Sequence, residues 1–177
     1  MQTIVFGGGC FWCVEAVFQR LRGVESVTPG YAGGERDNPN YYAVANGGTG
    51  HAEVIQVVFD PEVVSFETLL NVFFAFHDPT TLNRQANDVG TEYRSIILYT
   101  TEEQKIESEK FIATLEAEKT FANKIVTEIK PLEKFFEAEP EHKDYYNKNA
   151  EQPYCQFMID PKIAKLRAKF SHLLKDV

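Results

Sequence analysis

The stretch Thr3-Ile4-Val5-Phe6-Gly7-Gly8-Gly9-Cys10-Phe11-Trp12-Cys13 decides how the fold begins. Residues 3–6 are mostly apolar and β-branched, which predicts a strand. After the glycine turn, apolar side chains recur at the helical spacing i, i+3, i+4 and i+7, at Val14, Val17, Phe18 and Leu21. The sequence therefore predicts a strand, a glycine turn and a helix, with Cys10 at the point where the helix begins.

Cys10 is predicted to be a reactive nucleophile. Backbone N–H groups and the positive end of the helix dipole favour negative charge at the start of a helix. We therefore expect the pKa of the Cys10 thiol to be lowered. The glycines permit a positive φ and leave the sulfur approachable.

The chain up to residue 99 has the pattern of an α+β fold. After the first strand and helix, the predicted elements are a strand over 24–31, a loop over 32–50, a strand over 51–60, a helix capped by Ser65, a loop over 77–92 and a strand over 93–99. The order β-α-β-β-α-β is that of a two-layer α/β plait of the ferredoxin-like kind. We expect residues 1–177 to form a single catalytic domain with this core and with C-terminal helical and loop extensions.

The extensions are predicted less sharply. A charged helix near residues 102–119 and a strand near 125–129 are expected, and a final helix begins at Asp160-Pro161, as a cap followed by Pro at the first helical position. Residues 138–157 have little periodicity, which predicts a loop with one short helix. Cys155 then lies on a mobile segment.

Composition excludes several classes of protein. The net charge is −8 and there is no basic cluster, which argues against nucleic-acid binding. Three cysteines in 177 residues favour free thiols in a reducing compartment. There is no signal peptide and no apolar run long enough to span a membrane, so we expect a cytoplasmic monomer that does not bind membranes. No metal-ligand spacing, P-loop or dinucleotide fingerprint occurs, so no metal and no cofactor is expected.

Glu53 is the candidate acid. Strand alternation places it on the same face as Ile55, Val57 and Phe59. Two interpretations are open: the carboxylate lies in water at the end of the strand, or it is buried with a raised pKa. A buried carboxylic acid that stays neutral near pH 7 is suited to general acid catalysis.

Aromatic side chains surround these two residues in the sequence. At least one of Phe11 and Trp12 is expected to face the thiol and offer an apolar wall to a methyl or thioether group. The loops add neutral hydroxyl donors at Tyr31, Tyr41, Tyr42 and Tyr93. We interpret Asp88 and Arg94, at first sight, as a surface ion pair.

The remaining cysteines suggest redox chemistry. Cys13 lies three residues after Cys10, a C-x-x-C spacing at a helix N-terminus that permits a disulfide. Cys155 is distant in sequence. The alternatives are a buried apolar role for Cys13 and an incidental free thiol at Cys155.

Five motifs taken together resemble the peptide methionine sulfoxide reductase A family. They are Gly9-Cys10-Phe11-Trp12, Gly30-Tyr31-Ala32-Gly33-Gly34, Gly50-His51-Ala52-Glu53, His77-Asp78-Pro79, and Asn87-Asp88-Val89-Gly90 with Tyr93-Arg94-Ser95. The resemblance is strong from the first strand to about Tyr99 and continues more weakly to Cys155.

The resemblance implies a function and a set of roles. The function is reduction of the S epimer of methionine sulfoxide, free or in proteins, through a cysteine sulfenic acid that a second cysteine resolves and thioredoxin recycles. The implied roles are Cys10 as nucleophile, Glu53 as acid, Tyr41, Tyr93 and Asp88 as further catalytic residues, Phe11 and Trp12 as the methyl-binding aromatics, and Cys155 or Cys13 as the resolving cysteine.

Two positions depart from the family pattern. Ala86 stands where glycine is expected, and Cys13 and Cys155 are both present although members commonly use one or the other region. We favour Cys155 as the first resolving cysteine, because it need not strain a helical turn. A thioredoxin-like dithiol oxidoreductase and a thiol-based metal-binding or redox-sensing module are the alternative functions.

Overall fold

A computed structural model describes residues 1–175. Its main sheet has six strands in the order β7-β6-β1-β3-β2-β8. These strands are β1 (Gln2–Gly7), β2 (Val24–Ala32), β3 (Ala52–Phe59), β6 (Ile96–Tyr99), β7 (Glu128–Pro131) and β8 (Phe135–Glu137). The short strands β4 (Arg84–Gln85) and β5 (Asp88–Val89) form a separate hairpin.

The sheet is mixed, with antiparallel pairing at its centre. β1 pairs antiparallel with both β3 and β6, β2 pairs antiparallel with both β3 and β8, and β7 is parallel to β6. The molecule is therefore a mixed α+β fold in which β1 and β3 are central strands.

Within residues 1–175, six α-helices complete the fold: α1 (Phe11–Phe18), α2 (Tyr41–Ala45), α3 (Phe66–Ala75), α4 (Glu102–Ala117), α5 (Tyr145–Lys148) and α6 (Asp160–Lys169). The main core lies where α1 and α3 cover one face of the sheet. There Phe6 stacks on Phe73 with ring centroids 4.6 Å apart and contacts Phe18 at 5.4 Å. A smaller apolar cluster that includes Val5 and Val54 covers the opposite face, as strand alternation requires.

Gly7 allows the end of β1 to lie close to its neighbours. A Cβ atom at this position would lie 2.8 Å from the Ile96 side chain and 3.0 Å from the Glu53 carbonyl oxygen. Any larger residue would push β1 away from β3 at the point where the chain turns towards α1. The absence of a side chain here thus brings Cys10 and Glu53 to the same edge of the sheet.

The predicted elements of the first 117 residues are confirmed in type and order. Ser65 caps α3 by accepting a hydrogen bond from the Thr68 N–H. Both predicted loops contain further structure: the first includes α2, and the second includes the β4–β5 hairpin. The predicted strand near residues 125–129 is displaced, since β7 begins at Glu128.

The C-terminal part differs most from the prediction. Residues 139–148, here called the strap, run from a 3-10 turn at Pro140–His142 into α5 and contact α1. A π-helical turn, Cys155–Ile159, leads directly into α6.

The predicted cap at Asp160-Pro161 and the mobile position of Cys155 were therefore wrong. Asp160 already has helical φ and ψ, and Cys155 is 0% exposed. Pro161 cannot donate a backbone hydrogen bond, so the turn before it is free to widen instead of ending the helix. Among residues 1–175, no helix has the length and apolar character needed to cross a membrane.

Candidate active site

Cys10 occupies the predicted junction between β1 and α1. It is the residue that precedes the first helical turn, and its carbonyl accepts the Cys13 N–H at 3.1 Å. Gly9 has a φ of 96°, a left-handed conformation that favours glycine. Cys10 keeps part of its surface exposed. The local fold therefore presents a reachable sulfur at the start of a helix.

Glu53 is buried beside this junction. It is 2% exposed, and its Oε1 accepts the Phe11 N–H at 3.1 Å. Burial raises the pKa of the Glu53 carboxyl to about 8, although the bond from Phe11 acts in the opposite direction. Of the two interpretations of this residue, the buried one is confirmed. At neutral pH the site holds a protonated acid bonded to the residue next to Cys10.

The expected lowering of the Cys10 pKa was wrong. Burial raises the pKa of the Cys10 thiol, and a hydrogen bond with Cys13 and the charge of Glu53 raise it further. The backbone N–H of Trp12 lowers it, as a helix start should, but this effect is the smaller one. The resting site therefore favours the thiol, and loss of the Glu53 charge favours its ionisation.

Tyr41 and Tyr93 interact electrostatically with Cys10 and Glu53. Burial raises the pKa of Tyr41 to about 12, and the charges of Glu53 and Cys10 contribute. Burial and the same two charges also raise the pKa of Tyr93. Both hydroxyls are therefore neutral hydrogen-bond donors. Tyr42, by contrast, is 78% exposed and outside the group.

Phe11 and Trp12 point in different directions, as expected of neighbouring helical residues. Phe11 is buried and packs against Tyr31 at 5.7 Å. Trp12 is half-buried and stacks on Tyr145 with ring centroids 3.7 Å apart and an interplanar angle of 7°. The Tyr154 ring lies edge-on to the same indole. Trp12 is thus one side of an aromatic wall near the thiol.

The strap supplies site residues that the sequence did not identify. His142 Nδ1 accepts the Trp12 Nε1–H at 3.1 Å, and its ring lies 4.6 Å from that of Tyr41. Glu139 accepts the Tyr31 hydroxyl at 2.9 Å and the Tyr41 N–H at 3.0 Å. The only signal for these residues was a concentration of tyrosine, histidine and acidic side chains in a segment without periodicity.

Comparisons with known proteins decide the family. A model described as peptide methionine sulfoxide reductase matches residues 2–174. Peptide methionine sulfoxide reductase MsrA of Acinetobacter baumannii (strain SDF) is 56% identical over 176 residues, which cover 99% of this chain and 99% of that protein. The chain belongs to the peptide methionine sulfoxide reductase family.

Solved structures agree with this family assignment. Mxr1 from Saccharomyces cerevisiae in reduced form is 34% identical and has a TM-score of 0.79, covering 87% of this chain and 88% of that one. Mxr1 in complex with Trx2 is 26% identical and has a TM-score of 0.56, covering 81% of this chain and 84% of that one. As a peptide methionine sulfoxide reductase, the chain is an oxidoreductase.

Asp88 has a different partner from the one expected of it. The Tyr154 hydroxyl donates to Asp88 Oδ2 at 2.9 Å and lies 3.7 Å from Cys13 Sγ. Arg94 instead pairs with Glu128 at 3.1 Å. The interpretation of Asp88 and Arg94 as a surface ion pair was wrong, because Asp88 bonds to Tyr154 and Arg94 pairs with Glu128.

All three cysteines are free thiols in this member of the family. Cys13 is buried, and its pKa is lowered by the hydrogen bond with Cys10 and by the charge of Lys162, against the effect of burial. Burial raises the pKa of Cys155, with a contribution from the charge of Cys13. Cys13 therefore interacts electrostatically with both of the other thiols.

One group of side chains has the composition of a metal site. Glu139, Glu141 and His142 place one ligand atom each within 4.8 Å of one another. Both oxygens of Glu139 already accept hydrogen bonds, and His142 Nδ1 accepts the Trp12 indole. Glu139 and His142 therefore already use these acceptor atoms to hold the aromatic wall together.

Proposed function

We propose that this chain reduces the S epimer of methionine sulfoxide, free or within proteins, to methionine. The observation that supports this most directly is the position of Glu53, buried and bonded to the Phe11 N–H beside Cys10. A sulfoxide oxygen is a poor leaving group until it is protonated. A carboxyl with a pKa of about 8 is protonated at neutral pH and can supply that proton.

The first step is proposed to be nucleophilic attack by Cys10. Its thiolate sulfur bonds to the sulfoxide sulfur while Glu53 protonates the sulfoxide oxygen. The S–O bond of the substrate then breaks, its hydroxyl group bonds to the Cys10 sulfur, and the bond between the two sulfurs breaks. The substrate therefore leaves reduced to methionine, and Cys10 is oxidised to a sulfenic acid. Removing the charge of Glu53, by protonation, also favours the Cys10 thiolate, since that charge raises the Cys10 pKa.

The surrounding hydroxyls and rings are proposed to orient the substrate. Tyr41 and Tyr93 are neutral donors, which suits them to hold the sulfoxide oxygen without adding charge. Trp12 and Phe11 receive the methyl group of the substrate, because thioether and methyl groups pack well on aromatic rings. Asp88 is assigned to the same site and acts through its bond with Tyr154.

Cys13 is proposed to resolve the sulfenic acid first, and Cys155 second. Cys155 was favoured because it need not strain a helical turn, but Cys155 is itself buried in a helical turn. Cys13 lies one helical turn from Cys10, and its N–H donates to the Cys10 carbonyl at 3.1 Å. Its thiol condenses with the sulfenic acid to give a disulfide and one water. Exchange with Cys155 then moves the disulfide towards the C-terminal segment.

Thioredoxin is proposed as the reductant that restores the free thiols. A dithiol reduces the protein disulfide by exchange and is itself oxidised. The structure of Mxr1 in complex with Trx2, a relative at 26% identity, supports this partner.

Further proposals concern the core architecture, the oligomeric state and the location of the enzyme. The four strands β6-β1-β3-β2 are antiparallel neighbours in an order that supports a ferredoxin-like plait as the core of a single catalytic domain. Free thiols and a net charge of −8 support a monomer in the cytoplasm.

A turnover assay with a dabsylated methionine sulfoxide and dithiothreitol tests the function. We expect the S epimer to be reduced and the R epimer to remain, and Cys10→Ser to abolish turnover. Cys155→Ser is the matched control: with dithiothreitol left out, it should still release one equivalent of methionine and form a Cys10–Cys13 disulfide. Reduction by Cys10→Ser would overturn the assignment of the nucleophile, and reduction of neither epimer by the unmodified enzyme would overturn the function.

A further inference from the structure

Glu15 is a buried acidic residue that the proposed chemistry does not use. It lies in α1, one turn after Trp12, and is 2% exposed. Its Oε2 accepts the Asp144 N–H at 2.9 Å, and the neighbouring Tyr145 N–H adds a favourable electrostatic effect on the carboxylate. A buried carboxylate is costly unless such donors satisfy it. Its partners lie on the strap rather than in the reacting group.

The part of the strap that Glu15 holds adjoins the aromatic wall. Tyr145 carries the ring that stacks on Trp12 at 3.7 Å. Asp144 has a φ of 56°, a left-handed conformation that an aspartate adopts only at a cost. The bond from the Asp144 N–H to Glu15 thus fixes the strap where it turns towards Trp12.

Two further contacts with the strap come from residues just after α1, and their side chains are less buried than that of Glu15. Gln19 donates to Asp144 Oδ1 at 3.2 Å, and Arg20 donates to Asn147 Oδ1 at 2.7 Å. If these side chains are removed, water can replace them. Loss of Glu15 would instead leave the partly buried Asp144 N–H without its acceptor, which is the more expensive change.

We propose that Glu15 is a positioning residue that fastens the strap to α1 and so keeps Tyr145 and His142 against Trp12. The wall that receives the methyl group of methionine sulfoxide is then formed before the substrate binds. This inference rests on the proposed function for its kinetic consequence, but not for the conformational one.

The anchor is sensitive to pH in a defined direction. Burial raises the pKa of the Glu15 carboxyl to about 7, against the effect of the two N–H groups; Asp144 raises it and Lys143 lowers it. When the strap opens, water reaches Glu15 and its pKa moves back towards the ordinary value of 4.5. The closed strap therefore binds the proton more tightly, and raising the pH through 7 favours opening. The other titratable group at this contact, His142, has a pKa lowered by burial, so its transition lies below that of Glu15.

Trp12 provides a direct readout, because it is the single tryptophan of the chain. We compare Glu15→Ala, which removes the acceptor, with Glu15→Gln, which keeps an acceptor oxygen, and with Glu109→Ala on the exposed surface of α4 as control. Glu15→Ala should shift Trp12 emission to longer wavelength, increase its quenching by acrylamide and raise KM about 10-fold, with kcat changed less than twofold. Glu15→Gln at pH 6 and Glu109→Ala should match the unmodified enzyme.

A pH titration of acrylamide quenching keeps the test decisive if Glu15→Ala does not fold. The unmodified enzyme should show increased quenching with a midpoint near pH 7, and Glu15→Gln should show no such transition. Unchanged Trp12 emission in Glu15→Ala, or the same midpoint in Glu15→Gln, would overturn the proposal. If the emission responds as expected but neither epimer is reduced, the anchor stands and the proposed function fails.

Discussion

The two halves of the site are held in place by different means. Cys10 and Glu53 lie at the ends of β1 and β3, two central strands whose pairing fixes their relative position. The strap is held mainly by hydrogen bonds that involve side chains. Glu15 accepts the N–H of Asp144 on one side, and Glu139 accepts from Tyr31 and Tyr41 on the other.

Because the two halves of the site are held by different contacts, we expect them to have different roles. The strand ends carry the groups that transfer a proton and form a covalent bond, and these groups need a fixed geometry. The strap holds rings and donors that surround the substrate, and its attachment can be adjusted by one side chain at a time. We therefore expect variants at the strand ends to remove the chemistry, and variants in the strap to weaken binding and orientation.

After the loss of turnover expected for Cys10→Ser, the largest effect is expected from Glu53→Gln, which removes the acid at the strand ends. An amide occupies the same space but cannot transfer the proton, so kcat should fall about 10²-fold. In the unmodified enzyme the acid form of Glu53 is the active one, so its contribution is complete below its pKa of about 8 and is lost as the pH rises through that value. This decline should be absent in Glu53→Gln.

Single-turnover rates between pH 6 and 10 measure both expectations, with Glu109→Gln as the surface control. A kcat equal to that of the unmodified enzyme at every pH would show that Glu53 is not the acid.

A smaller effect is expected from Glu139→Gln, which breaks the strap half. The amide keeps one acceptor oxygen, so either the buried Tyr31 hydroxyl or the Tyr41 N–H loses its partner. An unsatisfied buried group costs about 1–3 kcal/mol, and Tyr41 is then less well placed, so kcat/KM should fall about 10-fold. Glu141→Gln, an exposed neighbour on the same turn, should be unaffected. Equal kinetics for the two variants would remove the distinction drawn between strand ends and strap.

The smallest effect is expected from Ala86→Gly, outside both halves. Ala86 has a φ of 51°, in the left-handed region, at the turn between β4 and β5. Glycine relieves this conformation but also loosens the unfolded chain, so we expect a gain of about 0.5 kcal/mol in the free energy of unfolding. Urea unfolding measures it, while kcat and KM should not change. A loss of stability would show that the turn tolerates alanine without strain.

The sequence was sufficient for the half of the site that depends on local pattern. The spacing of Val14, Val17 and Phe18 predicted α1 and hence the place of Cys10, and strand alternation placed Glu53 on an apolar face. The resemblance to the family then linked these two residues to Tyr41 and Tyr93.

The strap could not be predicted in the same way. Its residues are positioned by partners more than 90 residues away, such as Asp144 by Glu15 and Glu139 by Tyr41, and no local period encodes such bonds. The pKa of Cys10 was mispredicted for a related reason. The helix N-terminus is visible in the sequence, but the burial that outweighs it is a property of the folded molecule.

The π-helical turn at Cys155–Ile159 has a consequence for helical phase. A widened turn accommodates one residue more than an α-helical turn, which rotates the residues before it by about 100° relative to α6. Ile163 and Leu166 lock α6 into the core. The widened turn therefore sets the angular position of Tyr154 and Cys155 independently of that packing. The rotation caused by this one extra residue directs the Tyr154 hydroxyl towards Asp88 and the Cys155 side chain into the core.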